Sequence, residues 1–190
     1  MKKIYIIGAV GTGKTTLARK MSKQCNIPMY ELDKVVWDDD NGNVKRSDED
    51  VQKLFEEILN KESWIIEDVG RKKFIEGIKR ADIVYYIDLP AIIVYTRCLK
   101  RWIKQKIGKE TYNYKPTLKG LMQMIKWAHS DIQNKDEKIN CIRENSKKYE
   151  IIKYKYGKGI VYEWCCYKKS WRKGCWTIYH LSKLCMAHCL

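Results

Sequence analysis

Short apolar runs, each ending on a glycine, a carboxylate or a proline, alternate with longer stretches of helical spacing through most of the chain. Ile4–Ile7 is the first run and stops at Gly8. Apolar residues at successive positions over so short a length predict a strand buried on both faces. Lys14–Gln24 then places Leu17, Ala18 and Met21 on one helix face. Pro28–Asp33 predicts a second strand ending in a carboxylate, and Asp38–Asn43 a polar turn. Ser47, with Asp50 three residues on, is placed to cap a helix carrying Val51, Leu54, Phe55, Ile58 and Leu59.

Trp64–Ile66 is the third buried run, with Glu67 and Asp68 at its carboxyl end. A short helix is expected over Phe74–Arg80 and a fourth strand over Asp82–Leu89, stopped by Pro90. Ile92 to Lys106 is the next helix, with Leu99 and Ile103 assigned to the core. Thr111–Tyr114 is a loop, Pro116 suits the first turn of a helix reaching Ser130, and a further helix spans Asp136 to Lys148. The fifth strand is either Glu150–Tyr154 or Gly159–Glu163. This alternation predicts an α/β chain of three layers: a five-stranded parallel sheet with helices on both faces. Ligands in such sheets bind beyond the carboxyl ends of the strands. The polar ends Gly8–Thr15, Asp33, Glu67 and Asp68 are therefore expected to converge.

The first of those ends carries the chemistry. Gly8-Ala9-Val10-Gly11-Thr12-Gly13-Lys14-Thr15 satisfies G-x-x-x-x-G-K-[ST] in full, between an apolar strand and a helical pattern. Glycines let backbone N–H groups turn inward as a nest for phosphate oxygens, and the helix that follows points its positive end at the same anion. The motif predicts a P-loop NTPase fold that binds ATP and Mg²⁺. Gly8, Gly11, Thr12, Gly13, Lys14, Thr15 and Thr16 would hold the nucleotide, Lys14 the β- and γ-phosphates, and the Thr15 hydroxyl the metal.

After the fourth strand, Arg97 and Arg101 lie four residues apart on one helix face. Charges at this spacing are usually a solvated face, although a guanidinium also suits phosphate oxygens and base stacking. The spaced glycines before Lys14-Thr15, Asp33 after the second apolar run, and Leu89-Pro90 followed by Arg97 and Arg101 resemble the adenylate kinase-like branch of P-loop kinases. More narrowly, Ile4–Gly8, Tyr30–Asp33, Val36-Trp37, Trp64–Glu67 and Asn113–Thr117 resemble the bacterial DNA topology modulation protein (FlaR-type) group.

The resemblance covers residues 1–150. It implies a nucleoside-monophosphate-kinase-like fold, ATP and Mg²⁺ use, and transfer of a γ-phosphoryl group to a nucleotide or another small acceptor. It carries Arg97 to the base or ribose and Arg101 to the phosphates, with a short lid around 101–130. The group's name implies an effect on DNA supercoiling, but no motif identifies a nucleophilic tyrosine. A nucleic-acid-associated ATPase is the alternative reading.

On the acceptor side, Asp33 is placed to hold Mg²⁺ through water or to take a proton from an acceptor hydroxyl; it equally suits a helix cap. Glu67 and Asp68 compete for the metal role. Adenylate kinases commonly carry Asp-Gly there, and Glu67-Asp68-Val69-Gly70-Arg71 departs from that. Arg71 is a candidate for an acceptor phosphate, with a salt bridge at a helix start as its alternative. Trp37 is a candidate for stacking on an acceptor, against ordinary packing.

Composition adds partners. A net charge of +15 and a pI near 9.4 favour polyanions. The basic stretch Arg101–Lys126, with Trp102, Tyr112 and Tyr114, suits a single-strand groove only loosely, because no nucleic-acid motif accompanies it. No apolar run is long enough for a membrane span. A cytoplasmic monomer or homodimer with reduced thiols is expected. Cys165, Cys166, Cys175, Cys185 and Cys189 crowd the tail near His180 and His188, but only Cys185 and Cys189 have zinc-pair spacing, so no zinc is expected. The body is assigned to 1–155. The segment 156–190 reads as a divergent tail, dense in Cys, Trp, Tyr and Lys.

Overall fold

The structure is a computed structural model, and it describes residues 2–38, 41–109, 116–154, 164–169 and 176–180. Strand β1 (Lys3–Gly8) leads through the glycine loop into helix α1 (Lys14–Cys25). β2 (Met29–Glu31) runs into α2 (Leu32–Val36), followed by a small hairpin of β3 (Trp37–Asp38) and β4 (Val44–Lys45). Helix α3 (Asp48–Leu59) leads to β5 (Trp64–Asp68). A 3-10 turn (Lys72–Phe74) and α4 (Ile75–Arg80) then lead to β6 (Ile83–Asp88). Helices α5 (Ala91–Lys106), α6 (Leu118–Gln133) and α7 (Lys135–Asn145) precede β7 (Tyr149–Tyr154). Two more strands, β8 (Trp164–Lys169) and β9 (Trp176–His180), lie in the tail.

The sheet order is β2-β5-β1-β6-β7-β8-β9. The first five strands are parallel. Between them they form the five-stranded parallel sheet expected from the sequence. β8 and β9 extend it as antiparallel strands. The chain builds outward from β1 to β5 and β2 on one side, then to β6 and β7 on the other. That reversal opens a crevice at the carboxyl end of β1, where the glycine loop sits.

Alternation along each strand feeds two cores. Ile4, Ile6, Ile65, Tyr85 and Ile87 pack with Leu17, Ala18, Met21, Val94, Leu121 and Met124 on one face. Tyr5, Ile7, Trp64, Ile66, Val84 and Tyr86 pack with Leu32, Val51, Phe55, Phe74 and Ile142 on the other. Ser47 caps α3 by accepting from the Asp50 amide at 3.1 Å, and its hydroxyl donates to the Asp50 carboxylate at 2.6 Å. This is the N-cap its spacing suggested, although Asp50 takes the Ser47 hydroxyl and not the Ser47 amide of a full capping box.

Several expectations are corrected. Asp33 does not end a strand: β2 stops at Glu31, and the chain turns helical to bury Leu32, Val35 and Val36. Pro116 lies before the helix, because Thr117 caps α6 by accepting from the Gly120 amide at 3.0 Å. Helix α7 ends at Asn145, since Tyr149 already pairs with Val84. Of the two candidates for the fifth strand, the first is observed; Gly159–Glu163 lies outside the described residues, as does the loop Thr111–Tyr114. Leu99 and Ile103 are 44% and 45% exposed, since α5 turns Val94, Cys98 and Gln105 inward instead. Cys25 is disulfide-bonded, whereas Cys98 and Cys141 are free thiols. The expectation of a fully reduced body rested on compartment and not on geometry.

Candidate active site

The glycine loop is a compact ring. Gly11 and Gly13 adopt φ of 80° and 93°, the left-handed region that a side chain disfavours. The Thr12 hydroxyl donates to Ala9 O at 2.8 Å. Lys14 Nζ donates to the same carbonyl at 3.0 Å, so the ammonium is held inside the ring. Lys14 is buried, and burial lowers its pKa against the opposing pull of Glu67 and Asp33. Thr16 is exposed on the first turn of α1.

Thr15 points its hydroxyl at the next strand and donates to Glu67 Oε1 at 3.1 Å. Parallel register puts Glu67 opposite Ile6 and Asp68 opposite Ile7, at the same end of the sheet as the loop. Glu67 Oε2 is buried with no hydrogen-bond partner. Burial raises the Glu67 pKa, while Lys14 and the Thr15 bond pull it down. A buried carboxylate oxygen left unbonded beside a threonine hydroxyl fits a hard divalent cation. Among the described residues no group of three or more His, Cys, Asp or Glu clusters to hold a metal. Magnesium fits this setting, since it keeps several waters and shares the substrate's phosphate oxygens.

Asp68 serves another purpose. Its carboxylate accepts from the amides of Gly70 and Arg71, at 2.8 and 2.6 Å, and from the Arg71 guanidinium. Arg71 also bonds Asp33. Burial opposes the Arg71 charge, but Asp68 and Asp33 outweigh it and push its pKa up. Asp33, on the first turn of α2, is thereby brought to the end of β5. Trp37, one turn further, is 39% exposed. Arg46 clamps the hairpin and α2 together: it donates to Lys34, Val35 and Trp37 carbonyls and pairs with Asp38 at 3.0 Å.

Arg97 and Arg101 do not share one environment. Arg97 Nη1 donates to Thr12 O at 2.9 Å, bracing the glycine loop from α5. Arg101, one turn on, is exposed. A cavity of about 280 Å³ lies beside the loop; Ala9, Thr12, Leu89, Pro90, Val94 and Lys153 are among the residues lining it.

Sequence reading passed over Lys138. Its Nζ donates to Val69 O at 2.7 Å and to Asp131 at 2.6 Å, tying α6 and α7 to the turn that carries Arg71. Nothing in its local sequence marks it, because α7 is charged on most sides.

A glycine loop at the switch point of a parallel sheet, with its lysine held inside the ring and the threonine after it turned to a buried carboxylate, defines a P-loop NTPase fold. A family model described as AAA domain matches residues 4–115, and the chain belongs to that family. Two solved structures share the fold. A shikimate kinase from Bacteroides thetaiotaomicron has a TM-score of 0.52 at 15% identity, over 78% of this chain and 85% of that one. A shikimate kinase from Acinetobacter baumannii in complex with shikimate has a TM-score of 0.51 at 14% identity, over 84% and 86%. No curated protein matches the chain. These comparisons do not support the narrower likeness to the DNA topology modulation group. No helix among the described residues is long and apolar enough to cross a membrane.

Proposed function

We propose that the chain is a small-molecule kinase, which passes the γ-phosphoryl group of ATP to a hydroxyl of a small acceptor. The observation that carries this reading is the Thr15–Glu67 pair beside the phosphate loop, with the Asp33–Arg71 pair one strand away. One end of the sheet thus offers a place for phosphates and a separate place for an acceptor.

In this reading the loop amides and Lys14 hold the β- and γ-phosphates, and the base enters the cavity beside Pro90. Thr15 and Glu67 would hold magnesium, which would supply charge neutralisation at the phosphates. Arg97 keeps the loop in shape through Thr12. Arg101, exposed on α5, meets the transferring group. Asp33 accepts the proton of the attacking hydroxyl. One structure of the same fold is named with shikimate, a hydroxyl compound, so hydroxyl compounds are the acceptors to try first.

The test is a transfer assay with γ-labelled ATP, magnesium and a panel of hydroxyl compounds, run beside Lys14→Ala. Label moved to an acceptor by the wild type and not by the variant supports the reading. Nucleotide binding without transfer to any acceptor contradicts it.

A further inference from the structure

The Arg71 guanidinium carries two carboxylates. Asp68, whose side chain is 0% exposed, takes one edge and is held in place by the two amides it also accepts. Asp33, 62% exposed, takes another. With one cation and two anions, this cluster has a formal charge of −1. The cations around it are committed too. Lys138 is paired with Asp131, Lys34 with Glu31, and Arg46 with Asp38. Buried Glu67 at the same sheet end is offset by buried Lys14, so the charge of the Arg71 cluster stays at −1.

A phosphate monoester brought here would face net negative charge. It would also have to break an existing ion pair to reach a guanidinium. Neighbouring hydroxyls have no such difficulty: one donates to Asp33 while another accepts from Arg71, and the ion pair survives as a two-sided hydrogen-bonding edge. Trp37, one helical turn after Asp33, adds an exposed apolar ring that suits the C–H face of such a molecule.

Resting on the kinase reading, we propose that the acceptor is an uncharged polyhydroxylated molecule, a sugar or polyol, and not a nucleoside monophosphate. Asp33 takes the proton of one hydroxyl as its oxygen forms a bond to the γ-phosphorus. The bond from that phosphorus to the β–γ bridging oxygen breaks, and its electron pair leaves with ADP. The products are the phosphate ester, ADP and a proton, which Asp33 returns to water.

Two measurements on the full chain test this. In the first, γ-labelled ATP is offered with uncharged polyols (glucose, ribitol, glycerol, inositol) and, separately, with AMP, CMP, UMP and GMP. Label is expected in a polyol ester; label in a nucleoside diphosphate overturns the proposal. The second needs no turnover. With the phosphate loop saturated by MgADP, AMP binding is followed by calorimetry in the wild type and in Asp33→Asn. The proposal expects no AMP heat from the wild type and at least about tenfold tighter AMP binding in the variant, where Arg71 has lost one of its two anions. AMP binding that is equal in the two proteins, or tight in the wild type, overturns it. If neither panel is labelled, the kinase reading fails by itself, and the AMP comparison still decides the charge argument.

Discussion

The phosphate side and the proposed acceptor side of the site are built in different ways. On the phosphate side, eight consecutive residues from Gly8 to Thr15 form the ring, and its lysine bonds a carbonyl five residues away. On the acceptor side, Asp33 comes from α2, Asp68 and Arg71 from the end of β5, and Lys138 from α7. The first is a local motif whose geometry follows from glycine conformations and a helix start. The second exists only once the sheet is assembled. The proposed acceptor side therefore depends on tertiary packing in a way that the phosphate loop does not.

The largest effect should come from breaking the local motif. Lys14→Ala should abolish ATP binding in calorimetry while circular dichroism shows an intact fold, because Lys14 serves the ring and not either apolar core. Unchanged affinity would remove the phosphate-loop assignment.

Next in size is Arg101. Exposed on α5, it belongs to neither apolar core, so its removal should leave the fold intact. If it reaches the transferring group, Arg101→Ala lowers kcat by about 10³-fold with little change in ATP affinity. Arg101→Lys should rescue little, because a point charge lacks the planar fork. Arg97→Ala should show the opposite split, weakening ATP binding through the loop it braces at Thr12. Equal behaviour of the two variants would erase the distinction between them.

These contrasts also show what the sequence could disclose. The glycine loop was legible because its whole geometry lies in one window. Four of the parallel strands were legible because Ile, Val and Trp runs bounded by Gly, Pro and carboxylates leave little choice, whereas the fifth was left between Glu150–Tyr154 and Gly159–Glu163. The Thr15–Glu67 bond spans 52 positions and the Arg71–Asp33 pair 38, so no local pattern could announce either. Asp33 was placed on a strand because Tyr30 to Asp33 alternates, and the burial of Leu32, Val35 and Val36 overrode that pattern. Leu99 and Ile103 were assigned to the core as apolar residues on a helix, but Val94 and Cys98 fill that place.

A smaller effect tests the electrostatics of the phosphate side. Burial lowers the Lys14 pKa and raises that of Glu67, so folding disfavours both charges. Between the ordinary carboxylate range and the raised Glu67 value, the folded protein binds the extra proton, and stability falls as pH rises. Between the lowered Lys14 value and its ordinary one, the unfolded chain binds the extra proton, and stability rises with pH. The double variant Lys14→Met/Glu67→Gln removes both dependences and takes two buried charges out of the interior. Without nucleotide at neutral pH its Tm should exceed the wild type's by about 2–4 °C, the shift that ~1 kcal/mol gives in a domain of this size. A lower Tm would mean that the pair stabilises the empty site.

The smallest effect on ATP binding lies furthest from the phosphate loop. Arg46→Ala removes three bonds to carbonyls and the pair with Asp38, at a cost of about 1–2 kcal/mol. ATP affinity should be unchanged. A loss of ATP affinity would show that the hairpin after α2 communicates with the phosphate loop.

The central claim is transfer of a phosphoryl group between these two sides. Phosphorus NMR of the full chain with MgATP and the polyol panel reads it directly. The account predicts that the γ-phosphorus signal declines as a phosphate-ester signal grows, with ADP formed in equal amount. ATP that stays intact, or yields only inorganic phosphate whatever hydroxyl compound is present, would contradict it.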